Sequence, residues 1–445
     1  MYSCSECGHK AVKWTGKCPS CGTWESFVEE KETTGPGKRL VLNTEKSAPV
    51  MLKDVEGNQT TRLATGMEEF DRLLGGGLVS GEIILVGGEP GVGKSTLLLE
   101  VCARLCAQDK TLYVSVEESP QQVHIRAKRL ADDCEKIFIL AEDNVDEIYE
   151  HVKTGGYRFV VVDSIQVVYS PRCDGLKGSV SQIRGCAQIL TGMAKSLGVV
   201  VFVVGHVTKD GIIAGPKLLE HLVDCVLYFE NETLSSYRIL RAIKNRFGPA
   251  GEIAVFEMVS DGLVQVLSTA QVFLPHKDFT VAGSCVVCVC EGSRPLLVEL
   301  QALVSRAGFQ IARRRSLGYD FNRFSLLVAI IEKKLKLPLS GEDVFLNAAG
   351  GLKINDPAAD LGAAMAIVSS HKDIPAPQTC AFLGEVGLAG ELRRIAGINP
   401  RLKELSRMGF KSCFVPASNL DEVDDEYRSI TKSASTLEEL VTRIF

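Results

Sequence analysis

Nine residues, GEPGVGKST at positions 88–96, constrain this chain more than any others. They fit G-x-x-x-x-G-K-[ST], with Gly88, Gly93, Lys94 and Ser95 at the fixed places. The apolar run IILV at 83–86 leads in, and TLLLEVCA at 96–103 follows with helical character. Strand, glycine loop and helix in that order form a phosphate cradle. The glycines let backbone N–H groups turn inward around an anion, and the helix N-terminus adds its positive end. On this reading Gly88, Glu89, Pro90, Gly91, Val92, Gly93, Lys94, Ser95 and Thr96 bind ATP. Lys94 is expected to reach the β- and γ-phosphates, and the Ser95 hydroxyl is placed for Mg²⁺.

At 445 residues the chain is long enough for two or three domains with their own cores. It has no apolar run long enough for a membrane span and no basic-then-apolar leader at its start. A net charge of −5 excludes a polycation, so nucleic-acid contact must come from local patches. The odd count of 15 cysteines, without a secretory leader, points to a reducing cytoplasm.

Four of those cysteines have metal spacing. Cys4, Cys7, Cys18 and Cys21 form CxxC-x10-CxxC, with Gly8 and Gly22 following each pair where a knuckle turn calls for positive φ. Four thiolates suit tetrahedral Zn²⁺, and the metal would supply the stability that a module this small lacks. Trp14 and Trp24 either pack over this site or stack on a base; packing is expected, because a small module needs an apolar anchor. Residues 31–62, charged and then broken by Gly and Pro, read as a linker.

Beyond the glycine loop, apolar strands alternate with helical stretches: 111–116, 136–140, 159–164 and 199–204 against 121–130, 145–153 and 181–197. That pattern predicts a parallel sheet with helices on both faces and a ligand at its carboxyl end. Asp163 ends such a strand and is placed to order Mg²⁺. Glu117 or Glu118, at another strand end, is placed to polarise water. Glu117 is preferred, and the alternative is charge complementing the following helix. His206 ends a third strand, as a γ-phosphate sensor or a satisfied polar group. The basic, glycine-bearing stretches 170–178 and 208–217 contain Arg172, Lys177, Lys209 and Lys217. They either track the phosphates of a single strand or are solvated loops. Lys244 and Arg246, two residues apart at the end of a strand, project to one side. They act as cationic fingers toward a neighbouring subunit's ATP or guard an exposed hairpin edge.

Together, the lead-in TG…FDRLLGGGL…G, the glycine loop, VSVEES, VVVDSIQ, GHVTK and KNRFG resemble the bacterial RadA (Sms) family over essentially the whole chain. KNRFG carries most of the specificity. One departure is Val116, beside Glu117, where many relatives have Gly. The resemblance implies a RecA-like ATPase core, a hexameric ring with ATP at subunit interfaces, and single-stranded DNA in a central channel. It further implies branch migration at recombination intermediates alongside RecA. Lys244 and Arg246 fall at motif positions tied to coupling ATP with DNA.

The expected fold class is α/β. A RecA-like core at 63–268 follows the zinc module at 1–30, and an α+β domain at 269–445 resembles the Lon protease domain. The dyad positions of that domain hold Ala358 and Asn399, which supply neither nucleophile nor base. The expectation is therefore a peptidase-inactive scaffold that binds DNA. Residues 303–337 carry eight Lys/Arg, among them Arg313, Arg314 and Arg315 in an expected loop, against two acids. The competing functions are an ATP-dependent protease, and a DNA-binding scaffold switched by ATP without motor activity. Cys285, Cys288 and Cys290 alternate in an apolar run and read as core thiols.

Overall fold

The computed structural model describes residues 2–4, 10–11, 13–19, 22–24, 26–29, 51, 62–130, 137–206, 218–230, 237–266, 274, 281–308 and 312–445. Two compact units emerge, one of Met1–Asn231 with Ser236–Val266, the other of Glu232–Ser235 with Leu267–Phe445.

In the first unit, β1 (Tyr2–Cys4), β2 (Lys10–Ala11) and β3 (Phe27–Glu29) form a small antiparallel sheet in the order β2-β1-β3. Cys4 and Cys18 are buried side by side with Ala11 against them. Cys18 N–H bonds Thr23 O, and Gly22 N–H bonds Cys18 O, closing a tight turn. Gly22 takes the expected positive φ, at 77°. Cys7, Cys21 and Gly8 lie outside the described residues. The expectation that the tryptophans anchor this module is overturned. Trp14 is 53% exposed and Trp24 69%, because the thiols themselves occupy the small interior.

The remainder of this unit is built on nine strands. They follow helix α1 (Glu68–Leu73) and run β4 (Ile83–Gly88), β5 (Thr111–Ser115), β6 (Ile137–Leu140), β7 (Phe159–Asp163), β8 (Val200–His206) and β9 (Cys225–Glu230), then β10 (Tyr237–Asn245), β11 (Ile253–Val259) and β12 (Gly262–Gln265). Helices α2 (Lys94–Leu105), α3 (Pro120–Leu130), α4 (Val145–Gly155), α5 (Val180–Leu197) and α6 (Leu218–Leu222) connect the parallel strands. The strand order is β12-β11-β10-β9-β4-β8-β7-β5-β6. The six strands from β9 to β6 are parallel, as the βα alternation predicts, whereas β10 to β12 extend the sheet antiparallel. A hairpin meander needs no crossover helix, so this extension left no alternation to read. Side chains of β4 divide with the two-residue period of a strand. Ile84 and Val86 enter one core, and Ile83 and Leu85 the other.

Two backbone segments meet at the amino end of this sheet. A Cβ on Gly75 would lie 2.8 Å from Gly248 Cα, so the glycines of the GGG lead-in and of KNRFG exist for close approach. Arg62 seals the contact, donating to Leu74 O, Gly77 O and Phe247 O.

The second unit holds a seven-stranded mixed sheet, ordered β15-β16-β14-β13-β17-β20-β21. Its strands are β13 (Ser284–Glu291), β14 (Arg294–Arg306), β15 (Arg314–Leu317), β16 (Glu342–Ala348), β17 (Cys380–Phe382), β20 (Ser412–Pro416) and β21 (Thr431–Ala434), with the short pair β18 (Glu385–Val386) and β19 (Leu392–Arg393) outside it. The same unit carries the helices Phe321–Leu335 and Asp360–Lys372. Cys285 and Cys288 are core thiols and Cys290 is half-buried. Arg313–Arg315 does not lie in a loop, since Arg314 and Arg315 belong to edge strand β15, parallel to β16. The run lacks apolar alternation because its inward cation, Arg314, is satisfied by Leu339 O and Glu342 O.

Glu82 is 1% exposed just before β4, and its Oε1 has no hydrogen-bond partner. Burial raises its pKa from 4.5 to about 7. An acid whose folded pKa lies above its unfolded one costs stability as pH rises through that interval. Glu82→Gln should therefore stabilise the protein at pH 8, by up to about 3 kcal/mol, and change little near pH 4.5. Urea unfolding at both pH values checks this, and an equal effect at both would count against it.

Candidate active site

Strand register gathers the candidate groups at one edge. Gly88 of β4 lies beside His206 of β8, and Ser115 of β5 beside Asp163 of β7. All four are carboxyl ends of parallel strands, where an open α/β sheet receives ligands.

Lys94 is 4% exposed at the start of α2, and its Nζ donates to Gly88 O and Glu89 O, each at 2.8 Å. Burial lowers its pKa to about 8, opposed by the negative charges of Asp163, Glu117 and Glu89. Asp163 Oδ2 accepts the Tyr113 hydroxyl at 2.6 Å. That hydroxyl is held neutral by burial and by Asp163 itself. Glu117 Oε1 accepts the Ser164 hydroxyl and lies 3.3 Å from His206 Nε2. Glu118 turns away and pairs with Arg126 on α3. The two carboxylates thus differ in environment, Glu117 facing the glycine loop and Glu118 engaged at the flank. Ser95 and Thr96 take the first turn of α2 behind Lys94. An anionic phosphate with a divalent cation fits this donor set of one buried ammonium beside unpaired carboxylate charge.

Lys244 and Arg246 stand at the other end of the sheet. Lys244 pairs with Val226, itself opposite Leu85, and Asn245 pairs with Cys225, opposite Ile84. Ile84 to Gly88 is four strand steps, about 13 Å. Lys244 Nζ donates to Glu220 O at 2.6 Å and Val223 O at 2.8 Å, and Arg246 pairs with buried Asp224 at 3.0 Å. Burial and the nearby Arg246 lower the Lys244 pKa.

The comparisons agree with this architecture. Residues 46–211 match the family described as AAA domain, 2–29 that described as Rubredoxin metal binding domain, and 325–419 that described as Subunit ChlI of Mg-chelatase. A DNA repair protein RadA of Streptococcus pyogenes serotype M1 is 45% identical over 445 residues, covering 100% of this chain and 98% of its own. The chain belongs to the RadA family of DNA repair proteins. The RadA of Bacillus subtilis strain 168 is also 45% identical, across 94% of this chain and 93% of its own. A KaiC-like protein of Pyrococcus horikoshii aligns with 46% of this chain and 99% of its own at 21% identity, with a TM-score of 0.39, and decides nothing further.

The RadA resemblance is thus upheld, and with it an ATPase domain, an N-terminal zinc ribbon and a ChlI-like C-terminal domain. No helix among the described residues is long and apolar enough to cross a membrane. Of the residues expected to meet DNA, Arg172 pairs with Asp146, and Lys177 pairs with Asp143 while lying over the Tyr169 ring. Both cations are locally neutralised, which composition did not reveal. Lys209 and Lys217 fall outside the described residues. Tyr113, Ser164, Asp224 and Arg62 were missed by sequence reasoning. Of these, only Ser164 adjoins a recognised position, and the others act through contacts distant in the chain.

A site that binds phosphate through Lys94 needs its ammonium form. With the free-site pKa near 8, nucleotide affinity should fall about tenfold between pH 7 and pH 9, following the protonated fraction. Binding above pH 8 should take up a proton. Calorimetry in two buffers of different ionisation heat measures both effects, and buffer-independent heats at pH 9 would contradict them.

Proposed function

We propose that this chain is a DNA-dependent ATPase whose subunits form a ring in which each nucleotide site is completed by a neighbour. The observation that carries this reading is the placement of two half-sites at opposite ends of one sheet. Lys244 stands level with Leu85, three strand steps from Gly88, and Arg246 lies beyond it, so neither reaches its own subunit's glycine loop. A heterologous, head-to-tail contact brings them to the next subunit's site, and such contacts close into rings. Six subunits is the family's arrangement.

In this reading Lys94 exchanges its carbonyl partners for the β- and γ-phosphates of ATP, cradled by residues 88–96. Ser95 and Asp163 hold Mg²⁺, which neutralises phosphate charge when bound. Glu117, oriented by Ser164 and His206, accepts a proton from water as its oxygen bonds the γ-phosphorus. The bond from that phosphorus to the bridging oxygen breaks, and ADP leaves. His206 ends β8 shortly before the basic stretch 208–217, so its contact with Glu117 is the means by which hydrolysis would be passed to that stretch. Lys209 and Lys217 follow the backbone of a single strand, and Arg313 and Arg315 hold DNA on the second unit.

The work done is translocation on single-stranded DNA and branch migration of recombination intermediates alongside RecA, in the cytoplasm. Residues 63–268 are the motor. Residues 1–30 are the zinc module, with Cys4, Cys7, Cys18 and Cys21 as ligands, joined through the linker 31–62. Residues 269–445 are a peptidase-inactive scaffold. In support, Ala358 is buried in a turn, and Asn399 is spent on Glu422 O and the Asp424 N–H.

Single-stranded DNA should stimulate ATP hydrolysis at low salt, and Lys94→Ala and Lys244→Ala should each abolish the stimulated rate. An equal mixture of the two variants should regain activity at about one interface in four, where an intact glycine loop meets an intact finger. No stimulation of the wild type would sink the motor reading, and a mixture without recovery would sink completion in trans. Separately, Glu117→Gln should lower kcat about 10²–10⁴-fold with ATP still bound, whereas Glu118→Gln should stay within a few-fold. The reverse ranking would exchange their roles.

A further inference from the structure

The chain has two tryptophans, and both lie in the first module. Large apolar side chains are normally what a small domain hides, yet Trp14 is 53% exposed and Trp24 69%. The two rings flank one gap. A Cβ on Gly16 would lie 3.6 Å from Trp24 Cζ3 and 3.8 Å from Trp14 Cη2, so the floor between them is a residue with no side chain. Lys17 bridges to Trp24 across an antiparallel pair and holds its Nζ 5.7 Å from the indole centroid. Lys13 is exposed beside Trp14 in the chain. The stretch 10–18, KAVKWTGKC, contains three lysines and no acid, in a chain of net charge −5.

We propose that Trp14 and Trp24 form a stacking platform for bases of single-stranded DNA, with Lys13 and Lys17 receiving the flanking phosphates. This rests on the DNA-binding reading given above and assigns it a site outside the ATPase core. Every base has a π-face, so exposed indoles bind single strands without regard to sequence. A duplex does not fit, because its bases are already stacked on one another. Charge favours a nucleic acid over a protein here. The cations lie around the rings themselves, where phosphates adjoin each stacked base.

The two indoles are also the probe, because no other tryptophan contributes emission. The zinc-loaded full chain, without nucleotide, is titrated with an end-labelled oligothymidylate of about 20 nucleotides, the length spanning one or two single-strand sites. Label anisotropy and tryptophan emission are recorded together. Emission should be quenched with the same midpoint as the anisotropy rise. An abasic strand of equal length should bind more weakly and leave emission unchanged. Trp14→Ala with Trp24→Ala should weaken oligothymidylate binding about tenfold or more, while Trp14→Phe with Trp24→Phe retains most of it. Unchanged zinc content shows that the variant modules fold. If anisotropy rises normally but emission does not change, and the alanine variant binds as well as wild type, the platform is wrong while the DNA reading stands. Loss of a protein contact by that variant, with DNA binding intact, overturns it in favour of a protein partner. If no variant or wild type binds the strand at all, the DNA-binding reading fails first.

Discussion

A lysine ammonium withdrawn from water must be compensated, and the site is arranged around that demand at Lys94. Burial alone lowers its pKa to about 8, even with three carboxylates pulling the other way. Two carbonyls of its own loop hold it in place. Carbonyls are dipoles and carry no net charge, so the ammonium remains undercompensated until an anion arrives. The sheet register follows from the same need. Strands β4, β5, β7 and β8 all end level with the loop, which brings Asp163 and Glu117 near the buried charge. Fixing those carboxylates then takes Tyr113 and Ser164, each a hydroxyl donor onto one of them.

The amino end of the sheet is organised by backbone contact. Gly75 and Gly248 approach too closely for any side chain, and Arg62 caps three carbonyls around them. This explains why two sequence motifs some 170 residues apart belong to one structure. KNRFG is fixed in place by the lead-in. Its two cations are then held by Asp224 and by the carbonyls of Glu220 in α6 and Val223 just past it.

The glycine loop, the parallel strands and the carboxyl-end acids were legible because each has a local signature. Spacing marks the loop, apolar runs mark the strands, and an acid after such a run marks the edge. The antiparallel extension β10–β12 and edge strand β15 were less legible. Neither alternates with helices, and the inward residue of β15 is an arginine whose polar atoms are satisfied by Leu339 O and Glu342 O. Charge counting also misjudged the cations. Arg314 and Arg323 count toward the basic stretch, but one is spent on carbonyls and the other on buried Asp360. Arg172 and Lys177 are likewise paired, with acids some 26 to 34 residues away in the chain. The exposure of Trp14 and Trp24 was misread because the general rule for apolar side chains ignores how small the interior is that Cys4 and Cys18 fill.

In the second unit Ala358 and Asn399, the positions expected to hold a dyad, serve backbone order instead. Asp356 accepts the Ala358 N–H with one oxygen, while its other oxygen meets the Cys290 N–H and Arg401. Arg401, 4% exposed, also donates to Cys288 O. Such a buried pair adds little net stability over apolar packing. Its effect is geometric, tying the turn before the helix Asp360–Lys372 to strand β13. Asn399 does the same for the segment at 422–424. Arg315, on edge strand β15, is exposed to solvent.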